Sequence, residues 1–186
     1  FTVGAKAPMN SANRTYKGLP LPMDYQSSLG TYDLIIGTSY KLKILQFILA
    51  FQQPIIQNNN QYLVSNVDDN YILKKFTVST NNFIRSGDVL FRVSSLFKLN
   101  PKWRFIPSVL PIYHLSNDNY YDENEKLQEI EGSKGLTLNG NLYVEYIINS
   151  KSSIQIIVGK PFIYRKSRPD GLTRSLIANI EYQIKF

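Results

Sequence analysis

Residues 175–186 read SLIANIEYQIKF, and stepping back by twos from Phe186 picks out Ile184, Tyr182, Ile180, Ala178 and Leu176. The positions between them are Lys185, Gln183, Glu181, Asn179, Ile177 and Ser175, nearly all polar. Successive side chains of a strand point to opposite faces, so this segment is a strand with one greasy and one wet face. The fold turns on which of those faces is enclosed.

The same alternation recurs at FTVGAKA (1–7), TYDLIIGTSYKL (31–42), ILQFILAFQ (44–52) and GDVLFRVSSLFKL (87–99). It continues in WRFIPSVLPIYH (103–114), LTLNGNLYVEYII (136–148) and SIQIIVGKPFIYR (153–165). Tight turns are expected at Lys41-Leu42-Lys43, Leu99-Asn100-Pro101-Lys102 and Asn149-Ser150-Lys151-Ser152. Long polar segments lie at 9–30, 57–86 and 116–134, with a shorter one at 165–171. Long and short links therefore alternate. A soluble sandwich has no reason to send every long loop to one end, whereas a barrel inserted in an outer membrane has short turns on one side and long loops on the other. Tyr71–Thr80 (YILKKFTVST) is expected to extend a strand beyond that layer.

Composition narrows the choice. Charged residues make up 19% of the chain and aromatics 13%, with 13 Tyr and 10 Phe, a mixture suited to strands and polar loops. No segment approaches the ~20 apolar residues of a membrane-spanning helix, but strands need only ~9–11 each. There is no cysteine, which removes disulfides and thiolate metal sites. The net charge of +7 comes from 21 scattered Lys and Arg that form no stripe, so no nucleic-acid partner is expected. The opening FTVGAKAP lacks an initiator Met and a signal peptide, so processing or further upstream sequence is expected.

Three features turn the apolar face outward. The polar face is rich in amides rather than in the Lys and Glu of a water-exposed surface. Aromatics gather at the strand ends: Tyr40, Phe97, Trp103, Tyr146, Tyr182 and Phe186 near the short turns, and Tyr32, Phe51, Tyr113, Phe162 and Tyr164 near the long loops. Two such bands are what interfacial girdles require. The terminal Phe186 is the third, and it is expected to close the seam of the barrel at the short-turn rim. The alternative is a lipocalin-like soluble barrel with its apolar face inside.

The expectation is an all-β, antiparallel up-and-down transmembrane barrel of about eight strands, residues 1–186 forming one barrel domain. Its lumen would be lined by Lys41, Arg92, Lys98, Arg104, Glu145, Glu181 and Lys185, with Lys6, Asp33, Asp88 and Arg165 also inward. A barrel of this size leaves room for little more than side chains. The inward Ile35, Ile48, Leu90, Ile106, Leu110 and Ile177 suit a partly filled interior or an amphipathic permeant.

Chemistry-bearing motifs are scarce. No phosphate-binding loop, paired-His metal motif or nucleophile elbow is present, so no enzyme activity, cofactor or metal is expected. His114 is the only histidine, with Ser116 and Asp118 beside it, but sequence neighbours on a loop rarely form a triad. The acidic run NDNYYDENEKLQEIEG (117–132) lacks EF-hand spacing and reads as a solvated loop.

Five elements also resemble a known family: VGAKAP (Gly4 to Pro8), GTYDLIIG (Gly30, Asp33, Gly37), SGDVLF (Ser86 to Asp88), the proline-bearing FIPSVLPIYH and a last strand ending in Phe. Their order resembles Bacteroidetes-type outer-membrane β-barrel proteins assigned to transport, related to those of phenol meta-pathways. The resemblance implies a Gram-negative outer membrane, a periplasmic C-terminus and a porin-like channel for a small solute. It also implies strands upstream of VGAKAP, and so a barrel of roughly 12 strands. The partners implied are outer-membrane lipid and other outer-membrane subunits held through extracellular loops 57–86 and 116–134. The alternative role is an accessory or structural barrel within such a complex.

Overall fold

The computed structural model describes residues 1–67, 74, 77–170 and 175–185. In chain order the strands are β1 (Thr2–Lys6), β2 (Thr15–Tyr16), β3 (Leu19–Pro20), β4 (Tyr32–Leu42), β5 (Leu45–Ile56) and β6 (Asp88–Ser95). They continue with β7 (Phe97–Lys98), β8 (Trp103–His114), β9 (Asp118–Tyr121), β10 (Leu127–Ile130), β11 (Gly135–Ile147), β12 (Ser152–Ile163) and β13 (Ile177–Ile184). A nine-stranded sheet runs β1-β4-β5-β6-β8-β11-β12-β13, with β7 on β8, and every pairing is antiparallel. Each long strand lies beside its predecessor, as an up-and-down meander requires.

Short turns gather at one end of the sheet. Leu42 pairs with Leu45, leaving Lys43-Ile44 as the turn, with Lys43 at φ 53°. The Asn100 carboxamide oxygen accepts from the Lys102 and Trp103 N–H groups, each at 2.9 Å. Asn149 does the same for Lys151 and Ser152. Asn at such a turn replaces a backbone acceptor with its own side chain.

The two faces of the sheet meet different surroundings. Ile36, Tyr40, Leu49, Phe91, Val109, Leu142, Ile156, Phe162 and Ile180 are exposed. On the opposite face Asp33, Asp88, Ser94, Ser108, His114 and Ser153 are buried. The polar face is the enclosed one. Gly140 sits on the apolar face because the Phe162 ring lies over it; an added Cβ would come within 2.4 Å of that ring.

Several expectations need correction. Among the described residues the sheet does not close: β1 pairs only with β4, and β13 only with β12. Every residue of β13 is exposed, because nothing covers its second edge. The eight-strand path nevertheless leaves β1 and β13 running in opposite directions, the relation closure would need. Phe186 lies outside the described residues, as do five of the ten residues of Tyr71–Thr80, of which Thr77–Thr80 are irregular rather than strand. GDVLFRVSSLFKL is not continuous: Leu96 breaks it by donating its N–H to the Ile44 carbonyl at 2.9 Å. The β6–β8 ladder lapses between Leu90 and Val93, opposite Pro111, which has no N–H to give.

The long segments are also not simply solvated loops. They form a layer over the other end of the sheet, and this layer holds the buried apolar side chains Ala12, Met23, Tyr62, Phe83 and Ile130. Asn60 is its central polar joint. Its Nδ2 donates to the carbonyls of Ala12 (2.6 Å) and Leu21 (3.2 Å), while its Oδ1 accepts from Tyr62 N–H (3.0 Å) and Thr80 Oγ1 (2.8 Å). All four hydrogen-bonding positions of the amide are used. Gly30, at φ +68°, turns the chain from this layer into β4; a Cβ there would meet Ala12 at 3.1 Å and Asn58 at 3.2 Å. The acidic run is a hairpin, β9 against β10, because Asp122 accepts the N–H groups of Asn124 (2.8 Å) and Lys126 (2.9 Å) and so makes its turn. Those bonds, that of Lys126 first, with help from the Gln128 amide, hold the Asp122 carboxyl below its ordinary value.

A candidate functional site at the loop end

Asp88 opens β6 and His114 ends β8, and the register sets them opposite each other where the long loops begin. His114 Nδ1 lies 2.7 Å from Asp88 Oδ1, and its Nε2 lies 2.7 Å from Asp118 Oδ1. Ionised carboxylates only accept, so both ring nitrogens donate and the ring is an imidazolium. Asp118 enters from the start of β9, where its own N–H donates to Ser133 Oγ at 2.7 Å. The Ser86 N–H adds a further bond to Asp118 Oδ1 at 2.9 Å.

Two arginines complete the cluster. Arg85 donates to Asp88 Oδ2 and approaches Asp170 Oδ2 to 3.7 Å. Arg165 donates to Asp170 Oδ2 at 2.7 Å and to the Ser133 carbonyl at 2.9 Å, and lies 3.9 Å from Asp118 Oδ2. All six charged side chains are buried. Burial opposes the charge on Arg85, but the carboxylates of Asp88 and Asp170 outweigh it and hold the guanidinium above its ordinary value. With His114 protonated, three cations balance three carboxylates, which is the condition under which buried charges persist. The cluster fastens three loop segments to two strands.

Below it lies a cavity of about 440 Å³. Its rim carries Arg85, Asp88, His114, Arg165 and Asp170, and its wall is formed by Leu90, Leu110, Ile112 and Ile177. A second ionic group borders it: Asp33 pairs with Lys6 and accepts from the Gln52 amide, and Lys6 also reaches Thr31 Oγ1 at 3.4 Å.

The expected lumen residues are split. Arg104 binds Glu145 at 3.1 Å, and with Lys185 they line a smaller cavity of about 170 Å³ at the turn end. Arg92 lies on the same face with its guanidinium over the Tyr143 ring, 4.9 Å from the ring centre. Lys41 and Lys98 are exposed at the turns, and Glu181 is exposed on β13 opposite Gln155. The turn-end aromatics Tyr40, Phe97, Trp103 and Tyr182 are exposed, and Tyr146 lies 4.8 Å from Trp103 between ring centres. Ser116 bonds Ser86 at 2.8 Å, and both His114 nitrogens face carboxylates, so Ser116, His114 and Asp118 form no triad. Among the described residues, no group of His, Cys, Asp or Glu is arranged to hold a metal ion.

Asp88 and Arg165 were legible as inward residues. Arg85, Ser133 and Asp170 were not, although FIRSGD puts a cation just ahead of a strand and RPDG is a turn signal. No protein-family model matches the chain, and no curated protein or solved structure matches it.

Proposed function

We propose that this chain is the wall of an outer-membrane β-barrel whose polar interior passes a small solute, with its long loops outside and its C-terminus periplasmic. One observation carries the reading: strand side chains such as Ile36, Leu49, Phe91, Leu142 and Ile180 are exposed while carboxylates, guanidiniums and serines fill the opposite face. In water that arrangement is inverted, and in hydrocarbon it is the favourable one. The turn-end and loop-end aromatics fit the two interfaces. No helix among the described residues is long and apolar enough to cross a membrane, which says nothing about strands.

The reading imposes a condition. Unpaired backbone groups are too costly in hydrocarbon for an open edge, so β1 and β13 must each find a strand. The test is reconstitution into planar bilayers: the expected result is discrete conductance or solute flux, and a folded monomer in plain buffer without surfactant overturns the proposal. The open edges also favour a second reading, a barrel subunit completed by strands of an outer-membrane complex. A disulfide between Val3→Cys and Ile180→Cys within one chain supports self-closure; its absence, together with co-purifying subunits, supports the second reading.

A further inference from the structure

We propose that the ionic cluster at the loop end is a proton-operated latch: the charged His114 ring holds the β9–β10 hairpin against the strand ends, and loss of its proton releases the hairpin. The inference stands on the cluster alone, whatever medium surrounds the strand wall. His114 bonds Asp88 at the head of β6 through one ring nitrogen and Asp118 at the start of β9 through the other, both at 2.7 Å. The remaining charges of the cluster are Arg85, ahead of β6, and Arg165 and Asp170, after β12. The other cations lining the cavity beneath are engaged elsewhere or exposed. Lys6 pairs with Asp33, the Arg168 guanidinium lies 4.7 Å from the centre of the Tyr164 ring, and Lys160 is exposed.

The three carboxylates are not equally provided for. Asp88 is bonded by Arg85 and Asp170 by Arg165, whereas the guanidinium contact of Asp118 is Arg165 at 3.9 Å. Asp118 is fully buried, and its Oδ2 has no hydrogen-bond partner. His114 is therefore the cation that touches it directly. A neutral ring has a single N–H for two carboxylates and turns a lone pair toward one of them. The cluster then sets two cations against three carboxylates, and Asp118 is the one left without a partner charge. Removing one member of a buried ion pair strands the other, and the stranded charge is relieved by reaching water. Asp88 is fixed in the sheet between β5 and β8, but Asp118 rides on a two-stranded hairpin. The further ties of that hairpin, Asn119 to Ile84 and Tyr121 to Asn81, are neutral backbone bonds and carry no pH dependence. The latch is closed while the ring keeps its proton and opens as rising pH removes it.

The test uses the full chain in lipid nanodiscs, or in buffer should it fold without surfactant. His114 is the only histidine, so isotopically labelled histidine gives ring-nitrogen signals that follow this one proton. The chain has no cysteine, so Ile130→Cys supplies a single thiol at a buried position opposite Asp118 in the hairpin. Its labelling rate, divided by that of the urea-unfolded chain at the same pH, reports opening. The expected result is labelling that rises with the ring titration, about tenfold for each pH unit by which the ring's midpoint exceeds that of the opened chain. Adding Asp118→Asn leaves two cations facing two carboxylates once the ring is neutral, so labelling stays low at every pH. Should that variant fail to fold, His114→Gln is the second: with strand circular dichroism intact, it labels at neutral pH as the parent does in alkali. A ring that stays charged throughout, a titration without a rise in labelling, an undiminished rise in Asp118→Asn, or slow labelling of His114→Gln at neutral pH overturns the proposal.

Discussion

The loop layer and the strand wall follow opposite burial rules within one chain. In the loop layer Phe83 and Ala12 are fully buried, and Met23, Tyr62 and Ile130 nearly so, around the Asn60 amide, whose hydrogen bonds are satisfied. On the wall Leu142, Ile156, Phe162 and Ile180 are exposed, and the opposite face buries charge. The loop layer is built as a protein folding in water is built. On the proposed membrane reading, the wall is built for a second, apolar medium on its outer side. Burial therefore has no single direction here, and the two regions respond differently to the same kind of substitution.

The largest effect is expected from Phe83→Ala, which opens a cavity in the loop layer at a cost of about 3–5 kcal/mol. Loop proteolysis should accelerate while the strand signal in circular dichroism persists; equal loss of both would make the two regions one cooperative unit. Leu142→Arg sharpens the contrast from the other side. On the outer face near the middle of β11 it should cost about 2–4 kcal/mol in a bilayer, measured by urea unfolding in vesicles. A cost near zero there would place that face in water.

Asn60→Ala should come next, about 1–3 kcal/mol for each buried backbone group left without its partner, read by hydrogen exchange at Tyr62. Arg104→Ala should cost no more than about 1 kcal/mol, because the pair with Glu145 is partly exposed. On the proposed channel reading, its readout is ion selectivity rather than stability. Smallest is the pH response of the β9–β10 hairpin. The Asp122 carboxyl is held below its ordinary value, so its turn bonds stabilise the hairpin above the ordinary carboxylate range and are lost as pH falls through the lowered value. Exchange of the Lys126 amide across an acid titration checks this, and unchanged protection would remove Asp122 from the turn.

Period-two alternation made the strands legible because it is local: each strand states its own two faces. Asn100 and Asn149 made the turns legible for the same reason, since their bonds span two or three residues. The loop layer was not legible. Ala12, Met23, Tyr62, Phe83 and Ile130 are isolated in polar sequence and become a core only when three segments converge. The cluster was half legible on similar grounds. Alternation assigns Asp88 and His114 to one face, but Arg85 and Asp170 lie outside the strands, and only the folded loops bring them together. Closure was read from the terminal aromatic, whereas pairing of the edges depends on backbone contacts that no side-chain pattern encodes.

Trp103 is the chain's one tryptophan, and it stands at the turn-end margin with the Tyr146 ring 4.8 Å away. Its emission therefore reports a single height on the molecule. In vesicles whose acyl chains carry bromine at successive carbons, the depth of strongest quenching would measure how far that rim sits from the bilayer centre. On the membrane reading the protein comes with its own depth gauge, and no label need be attached to read it.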